Sequence, residues 1–476
     1  MTRTKQINYR ELFVGLATPV PMLDGTLQKY INLDNSASTP AFNHVTGAVS
    51  QFLNYYSSVH RGTGFKSQLS TYVYEQSRHT VLRFLHANPR EHVCIFGKNT
   101  TEAINKLARR FPFTPTRDVV LVSFMEHHSN DLPWRPVAKV VHVAITPEGR
   151  LDEEDFDRQL ARYGERVALV SITGASNVTG FLNPIHRLAE KAHAVGAQAA
   201  IDCAQLAPHR SIDMRPLSDP GHLDYVSISA HKMYAPFGTG ALVGRRDTFE
   251  QGDPDLRGGG EVEIVTPDRV EWSAPPDRDE AGSPNTVGAV ALAAAIDQLE
   301  EIGMDQVADH EIELTEYALS RLAGVDGIQI YGETSPRKAA ERLGVIPINL
   351  KGMSHYLVAG VLGYEFGIGV RNGCFCAHPY LLRLMDVPTD EVDLVRSDIL
   401  NGDRRAVPGM VRISFGLYNT LEEVDACVEA LERISAGKFN GTYHQDIESG
   451  QFLPEGWQVD YSRYSPLQPA DGPMTF

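Results

Sequence analysis

Short apolar runs alternate with amphipathic stretches along most of the chain. Runs of strand character are predicted at 93–96, 119–124, 137–144, 167–173, 197–202 and 225–228, with a further strand in ALVGRR after Gly240. Helical periodicity fills the intervals: 43–56, 71–88, a helix opening at Thr100 or Thr101 with Glu102 in its first turn, an acidic helix after Leu151, and 184–195. Apolar strands joined through helices at this spacing argue for an α/β fold with a parallel, doubly wound sheet.

The pattern changes after an alanine-rich helix at 287–301. A long helix over Met304–Leu322 leads to strands at 328–331 and Val345–Leu350, a helix after Ser354, and strands near 368–371 and 411–415. That order suggests a second, compact α+β unit. Residues 1–30 are polar, end at the turn Asp24-Gly25 and read as an N-terminal arm. The large domain is expected over 31–303 and the smaller one over 304–439, with part of the N-terminal segment. Residues 440–476, rich in proline and tyrosine, read as a tail laid over the surface. The glycine cluster RGGGEVEIVT matches no phosphate loop by spacing and reads as flexible.

Composition narrows the function classes. With 42% hydrophobic and 22% charged residues in 476, the chain is an ordinary globular one with room for two or three cores. A formal charge of -16 argues against nucleic acid or an anionic membrane as partner. No apolar run approaches a membrane span, and the N-terminus lacks the apolar core of a signal peptide, so a cytoplasmic location is expected. Five scattered cysteines suit reduced thiols better than a disulfide framework.

Two stretches carry the chemistry. In DYVSISAHKMYAPFGTG (224–240) a buried strand ends at Ser229, His231 and Lys232. Apolar walls there disfavour an ammonium group, and a neutral lysine is a nucleophile for aldehydes, while Ser229 and His231 could hold an anion nearby. Taken alone, the same lysine also reads as a strand-end residue in solvent. In AIDCAQ (200–205) a strand delivers Asp202 and Gln205 at its end. A buried aspartate can keep the pyridinium nitrogen of pyridoxal phosphate protonated. Together these segments, about 30 residues apart, resemble the class V aminotransferase family of fold-type I pyridoxal enzymes. Within it they resemble the cysteine desulfurase and selenocysteine lyase branch.

The resemblance implies a fold-type I transferase: a large, mainly parallel seven-stranded sheet domain and a smaller α+β domain. It implies pyridoxal 5'-phosphate as a Schiff base on Lys232, with Thr100, Thr101, Ser229 and His231 about the phosphate and Asp202 and Gln205 on the ring. His127, the first histidine of MEHHSNDLPW, would stack on the ring and move protons, whereas His128 would be structural. Asn177 in SNVTG would contact the ring oxygen or the substrate carboxylate. Thr286 in AGSPNT would reach the phosphate of a neighbouring subunit, which implies a homodimer with shared sites. The LDNSAST segment would line the substrate cleft, and His60 and Arg61 in VHRG match the branch, although such a loop is also commonly just solvated. Arg412 would hold the substrate carboxylate as a two-pronged donor.

VRNGCFCAHP (370–379) separates a desulfurase from its relatives. By the resemblance, Cys376 takes sulfur from L-cysteine as a persulfide, leaving L-alanine, and a sulfur-acceptor protein follows. Cys374 falls where the branch often has histidine. Two other readings stay open for this stretch: a Cys-x-Cys-x-His metal cluster, short of ligands and not adopted, and a pair of buried inert thiols. Selenocysteine lysis, β-elimination, epimerisation and transamination are the alternative reactions, and a non-catalytic pyridoxal-binding scaffold is the alternative class. The stretch between Cys376 and Arg412 is longer than its counterpart in the branch, which suggests a cover over the cleft or a docking element.

Overall fold

The computed structural model describes residues 8–60 and 62–467. The seven apolar runs form one sheet: β1 (His92–Gly97), β2 (Val119–Ser123), β3 (Lys139–Val143), β4 (Val167–Thr173), β5 (Gln198–Asp202), β6 (Tyr225–Ser229) and β7 (Gly240–Arg245). Their order is β1-β7-β6-β5-β4-β2-β3. Strands β2 to β6 pair in parallel, and β7 runs antiparallel to both β6 and β1. The expected fold-type I architecture is therefore present.

Every residue of β2 and β4 is buried, because helices cover both faces of the sheet. The period-two alternation of the strands distributes them between the covers. Ala199 and Ile201 of β5 pack with residues of helices Asn43–Leu53, Phe65–Phe84 and Thr286–Ile302, whereas Ala200 packs on the opposite face with Ile104 and Leu107 of helix α1 (Thr100–Arg110). At the end of β6 remote from the sheet's ligand-binding edge, Asp224 is fully buried. It accepts the N–H of Ala199 at 2.8 Å, and Arg245, His193 and His222 converge on its carboxylate.

A second sheet is wholly antiparallel and holds Ile328–Ile330, Val345–Leu350, Met410–Ser414 and Arg371–Gly373 in that order. It shares a core with helices Met304–Leu322, His355–Phe366 and Leu421–Ser435. This is the α+β unit expected from the strand order. Ile31–Asn32 pairs in parallel with Ile368–Gly369, so the start of the predicted large domain joins this second layer.

The N-terminal segment carries a short helix, Tyr9–Leu12, and packs on the rest of the chain: Phe13 is buried among Phe42, Tyr234 and Tyr418, and Pro19–Pro21 pairs with Leu27–Lys29. Two local expectations are corrected. The second helix begins at Phe65, because Gly64 merely sets its start. The glycine cluster leads into an antiparallel hairpin, Val262–Thr266 against Arg269–Trp272, whose polar alternation masked it in sequence. The C-terminal tail also forms a hairpin, Tyr443–Gln445 with Phe452–Pro454. Among the described residues no helix is long and apolar enough to cross a membrane.

Candidate active site

The carboxyl ends of the parallel strands open onto a cavity of about 230 Å³, where open α/β sheets bind ligands. Lys232 enters it from a single 3-10 turn, Ala230–Lys232, that follows β6 directly. Burial pulls its ammonium from 10.5 down to about 8, opposed by Asp202, assisted by Arg412 and opposed by Cys376. Asp202 closes β5, accepts the N–H of Ala204 at 2.9 Å and lines the same cavity. Burial raises its carboxyl, and the Ala204 N–H and Lys232 hold that rise back. Gln205 donates to the carbonyl of Ser36 at 2.9 Å, which fastens the LDNSAST segment to the cavity wall.

The opposite wall is the start of α1. Its cap is Asn99, whose side chain accepts the N–H of Glu102 at 3.1 Å. The expectation that Thr100 or Thr101 caps this helix is thereby corrected, since asparagine is the stronger cap and stands one residue earlier. Both threonines fall in the first turn and line the cavity. Ser229 joins them to β6: its Oγ accepts the N–H of Thr100 and donates to Thr100 Oγ1, each at 2.9 Å. This leaves the Thr100 hydroxyl proton, and first-turn main-chain N–H groups, for an anion. Burial and then Lys232 lower the His231 imidazolium to about 4, so His231 is neutral at pH 7.

His127 stands after β2. The Ser129 N–H donates to its Nδ1 at 3.1 Å, so the ring proton belongs on Nε2. Burial, then Lys232, lowers its imidazolium to about 3. Glu126, beside it, is buried and bound by Ser123, Asn130 and the N–H of Thr173; burial still raises its carboxyl to about 8.

Cys376 is exposed and lines the cavity, on a turn where Phe375 and Cys376 both adopt left-handed φ, 52° and 54°. Such backbone is costly for non-glycine residues and persists only where the surroundings hold it. Asn177 donates to the carbonyl of Phe375 at 2.7 Å, and the N–H of His128 donates to that of Cys376 at 2.8 Å. Asn177, expected at the cofactor ring or substrate, lines the cavity but spends its amide on this loop. Cys374 is buried, donates to the carbonyl of Pro408 at 3.0 Å, and has its thiol pushed up to about 12 by burial. His378 stacks instead on His128, at 5.0 Å between ring centres. Among the described residues, Cys374, Cys376 and His378 do not gather into a metal-binding group.

Arg412 reaches the cavity from the second sheet. It pairs with Asp34 at 2.9 Å and donates to the carbonyl of Asn177 at 2.9 Å, while its buried Nε has no partner. Arg371 lines the cavity as a second guanidinium. Sequence reasoning missed Arg371, Asp34, Glu126 and Ser129. Asp34 stands inside the recognised LDNSAST segment and Arg371 two residues before GCFC, so both were within reach; Ser129 carried no signal beyond its nearness to His127.

His60 does not line this cavity, and Thr286, expected to serve a neighbouring subunit, does not line it either. His60 lies edge-on to Tyr74, 5.7 Å between ring centres, with its N–H on Thr71. Arg61 lies outside the described residues. Thr286 is buried at the start of its helix, with its hydroxyl unpaired, whereas Ser283 in the same AGSPNT segment is exposed.

The family model for class V aminotransferases matches residues 31–427. The chain belongs to the class V aminotransferase family. The class V relatives similar to it include a protein named probable cysteine desulfurase from Halalkalibacterium halodurans, 35% identical over 423 residues, or 87% of this chain and 95% of the relative. A cysteine desulfurase of Dickeya dadantii is 34% identical over 80% of this chain and 86% of its own. Among solved structures, the apo cysteine desulfurase of Thermococcus onnurineus superposes with a TM-score of 0.75 at 31% identity, covering 86% of this chain and 95% of that one. A cysteine desulfurase from Escherichia coli gives 0.73 at 28% identity, covering 91% and 98%. Class V aminotransferases are pyridoxal phosphate enzymes, and the resemblance read from the sequence is correct at the level of family and fold.

Proposed function

We infer that the chain is a pyridoxal phosphate-dependent cysteine desulfurase that converts L-cysteine to L-alanine and stores the sulfur on Cys376. The observation that carries this reading is a thiol exposed on a pinned, left-handed turn in the same cavity as a lysine of lowered pKa. The donor set suits the cofactor. Thr100, Ser229, His231 and the start of α1 form an anion cup, Asp202 lies buried for a ring nitrogen, His127 offers a face and Lys232 an amine.

When bound, the cofactor supplies an electron sink for the substrate's α-carbon. The chain's own residues do the rest. Lys232 anchors the aldehyde and, once released from it, is the base for the α-proton, because burial leaves its amine partly neutral near pH 7. Arg412 exchanges Asp34 for the substrate carboxylate, with Arg371 beside it. Cys376 attacks the substrate sulfur as a thiolate, so an S–S bond forms as the C–S bond breaks. Cysteine and the enzyme thiol become alanine and the enzyme persulfide, with no other reactant. His127, with its proton on Nε2, would serve as a hydrogen-bond donor in the same cavity. A thiol reductant or an acceptor protein then removes the sulfur.

A homodimer fits the surface. Phe65 and Tyr72 are 70% and 65% exposed, and Ile264 and Val265 on the hairpin are each 58% exposed. Exposed apolar side chains on these two elements would be covered by a second copy of the chain in such a dimer. All five cysteines are free thiols, as suits a reducing compartment such as the cytoplasm. The test is the product balance of the cofactor-loaded protein given L-cysteine and a thiol reductant. Equal alanine and sulfide are expected; pyruvate in place of alanine would overturn the desulfurase reading.

A further inference from the structure

The hydroxyls of Thr101 and Ser129 stand between the anion cup and His127. Ser129 Oγ lies 2.6 Å from Thr101 Oγ1 and 2.9 Å from His127 Nδ1. The direction of the chain is fixed by the third contact. A main-chain N–H can only donate, so the Ser129 N–H, 3.1 Å from the same Nδ1, marks that nitrogen as the lone-pair side of the ring. The Ser129 hydroxyl must then donate to Nδ1 as well, and Thr101 must donate to Ser129. Ser129 is buried, His127 is half-buried and Thr101 is exposed, and all three line the cavity.

We propose that Ser129 is a positioning residue that, with Thr101, couples occupancy of the anion cup to the ring of His127. The proposal rests on the pyridoxal phosphate reading of the cavity. Thr101 sits in the first turn of α1, where main-chain donors draw an anion. An anion there competes with Ser129 for the Thr101 proton. Because hydrogen bonds in a chain polarise one another, that competition alters the bond Ser129 makes to Nδ1. Phosphate seating is thereby transmitted from the first turn of α1 to the ring of His127.

The test is a titration of inorganic phosphate into the cofactor-free full chain labelled with ¹⁵N-histidine, with His127→Gln identifying the resonance. In the wild type the His127 Nδ1 signal should move as phosphate binds. In Ser129→Ala phosphate should still bind while that signal stays, and Ser129→Thr should restore the movement. In the loaded enzyme Ser129→Ala should lower kcat about fivefold with KM unchanged, the worth of one neutral hydrogen bond. An equal movement in Ser129→Ala, or an unchanged kcat, overturns the coupling alone. Failure of phosphate to bind the wild type overturns the anion cup and the coupling together.

Discussion

Lys232 is bought at a cost in stability that can be measured. In the cofactor-free protein its ammonium is held at about 8 against 10.5 in the unfolded chain. At about 1.4 kcal/mol per pH unit, that gap amounts to about 3 kcal/mol against folding wherever both states are charged. The sign follows from proton counting. Below the folded value both states carry the proton and the full penalty applies; between about 8 and 10.5 the unfolded chain binds more protons, so stability rises with pH. Above that window the penalty is gone. Lys232→Met removes it while filling similar space, but it also removes the attraction that holds down the Asp202 carboxyl. The net gain at pH 7 should be about 2 kcal/mol, or roughly 2 °C in Tm for a chain of this length. Thermal unfolding of cofactor-free wild type and variant, from pH 7 to pH 11, measures it. The variant should melt higher at pH 7, and the difference should close as pH approaches 10.5. A variant that melts lower at pH 7, or a difference constant across that range, would refute the claim that burial depresses Lys232.

Cys376→Ala should cut multiple-turnover sulfide release at least about 100-fold and leave cofactor absorbance intact, since the proposed function makes the thiol the sulfur's first stop. Cys374→Ala, by contrast, should keep most activity, because that thiol is buried and spent on Pro408; parallel sulfide assays separate the two. Arg412→Lys should raise KM for L-cysteine about tenfold, as an ammonium cannot replace a two-pronged guanidinium; steady-state kinetics read it. Asp224→Asn should destabilise by about 3 kcal/mol, seen as a lower Tm at pH 7, because it leaves Arg245 with Asp247 alone and takes the buried carboxylate from two histidines.

How much of this was legible in the sequence depends on whether the signal was local. The seven strands were readable because each is an apolar run of strand length, and Lys232, Asp202, Ser229 and His127 because each stands just past such a run, where the parallel sheet gathers strand ends. The second layer was readable in outline for the same reason. The hairpin at 262–272 was not, because its exposed polar strands pair only with each other. The cap on α1 was misread by one residue, since Asn99 and the two threonines offer similar oxygens and only backbone geometry separates them.

The amino-acid sequence by itself determined the strands of the fold-type I sheet and, through motifs that resemble the family, the family, because periodicity and short motifs are properties of neighbours along the chain; it also pointed to Lys232, Asp202 and Cys376, which the fold brings to one cavity. Tertiary structure alone decided that Arg412 pairs with Asp34, far from it in the chain, that Asn177 and His128 hold the thiol turn, and that Thr286 is buried. It also decided that Ser129 links Thr101 to His127. Each of those facts depends on where two distant segments meet and how each side chain is turned, and no pattern along the chain encodes such a meeting without the fold that makes it.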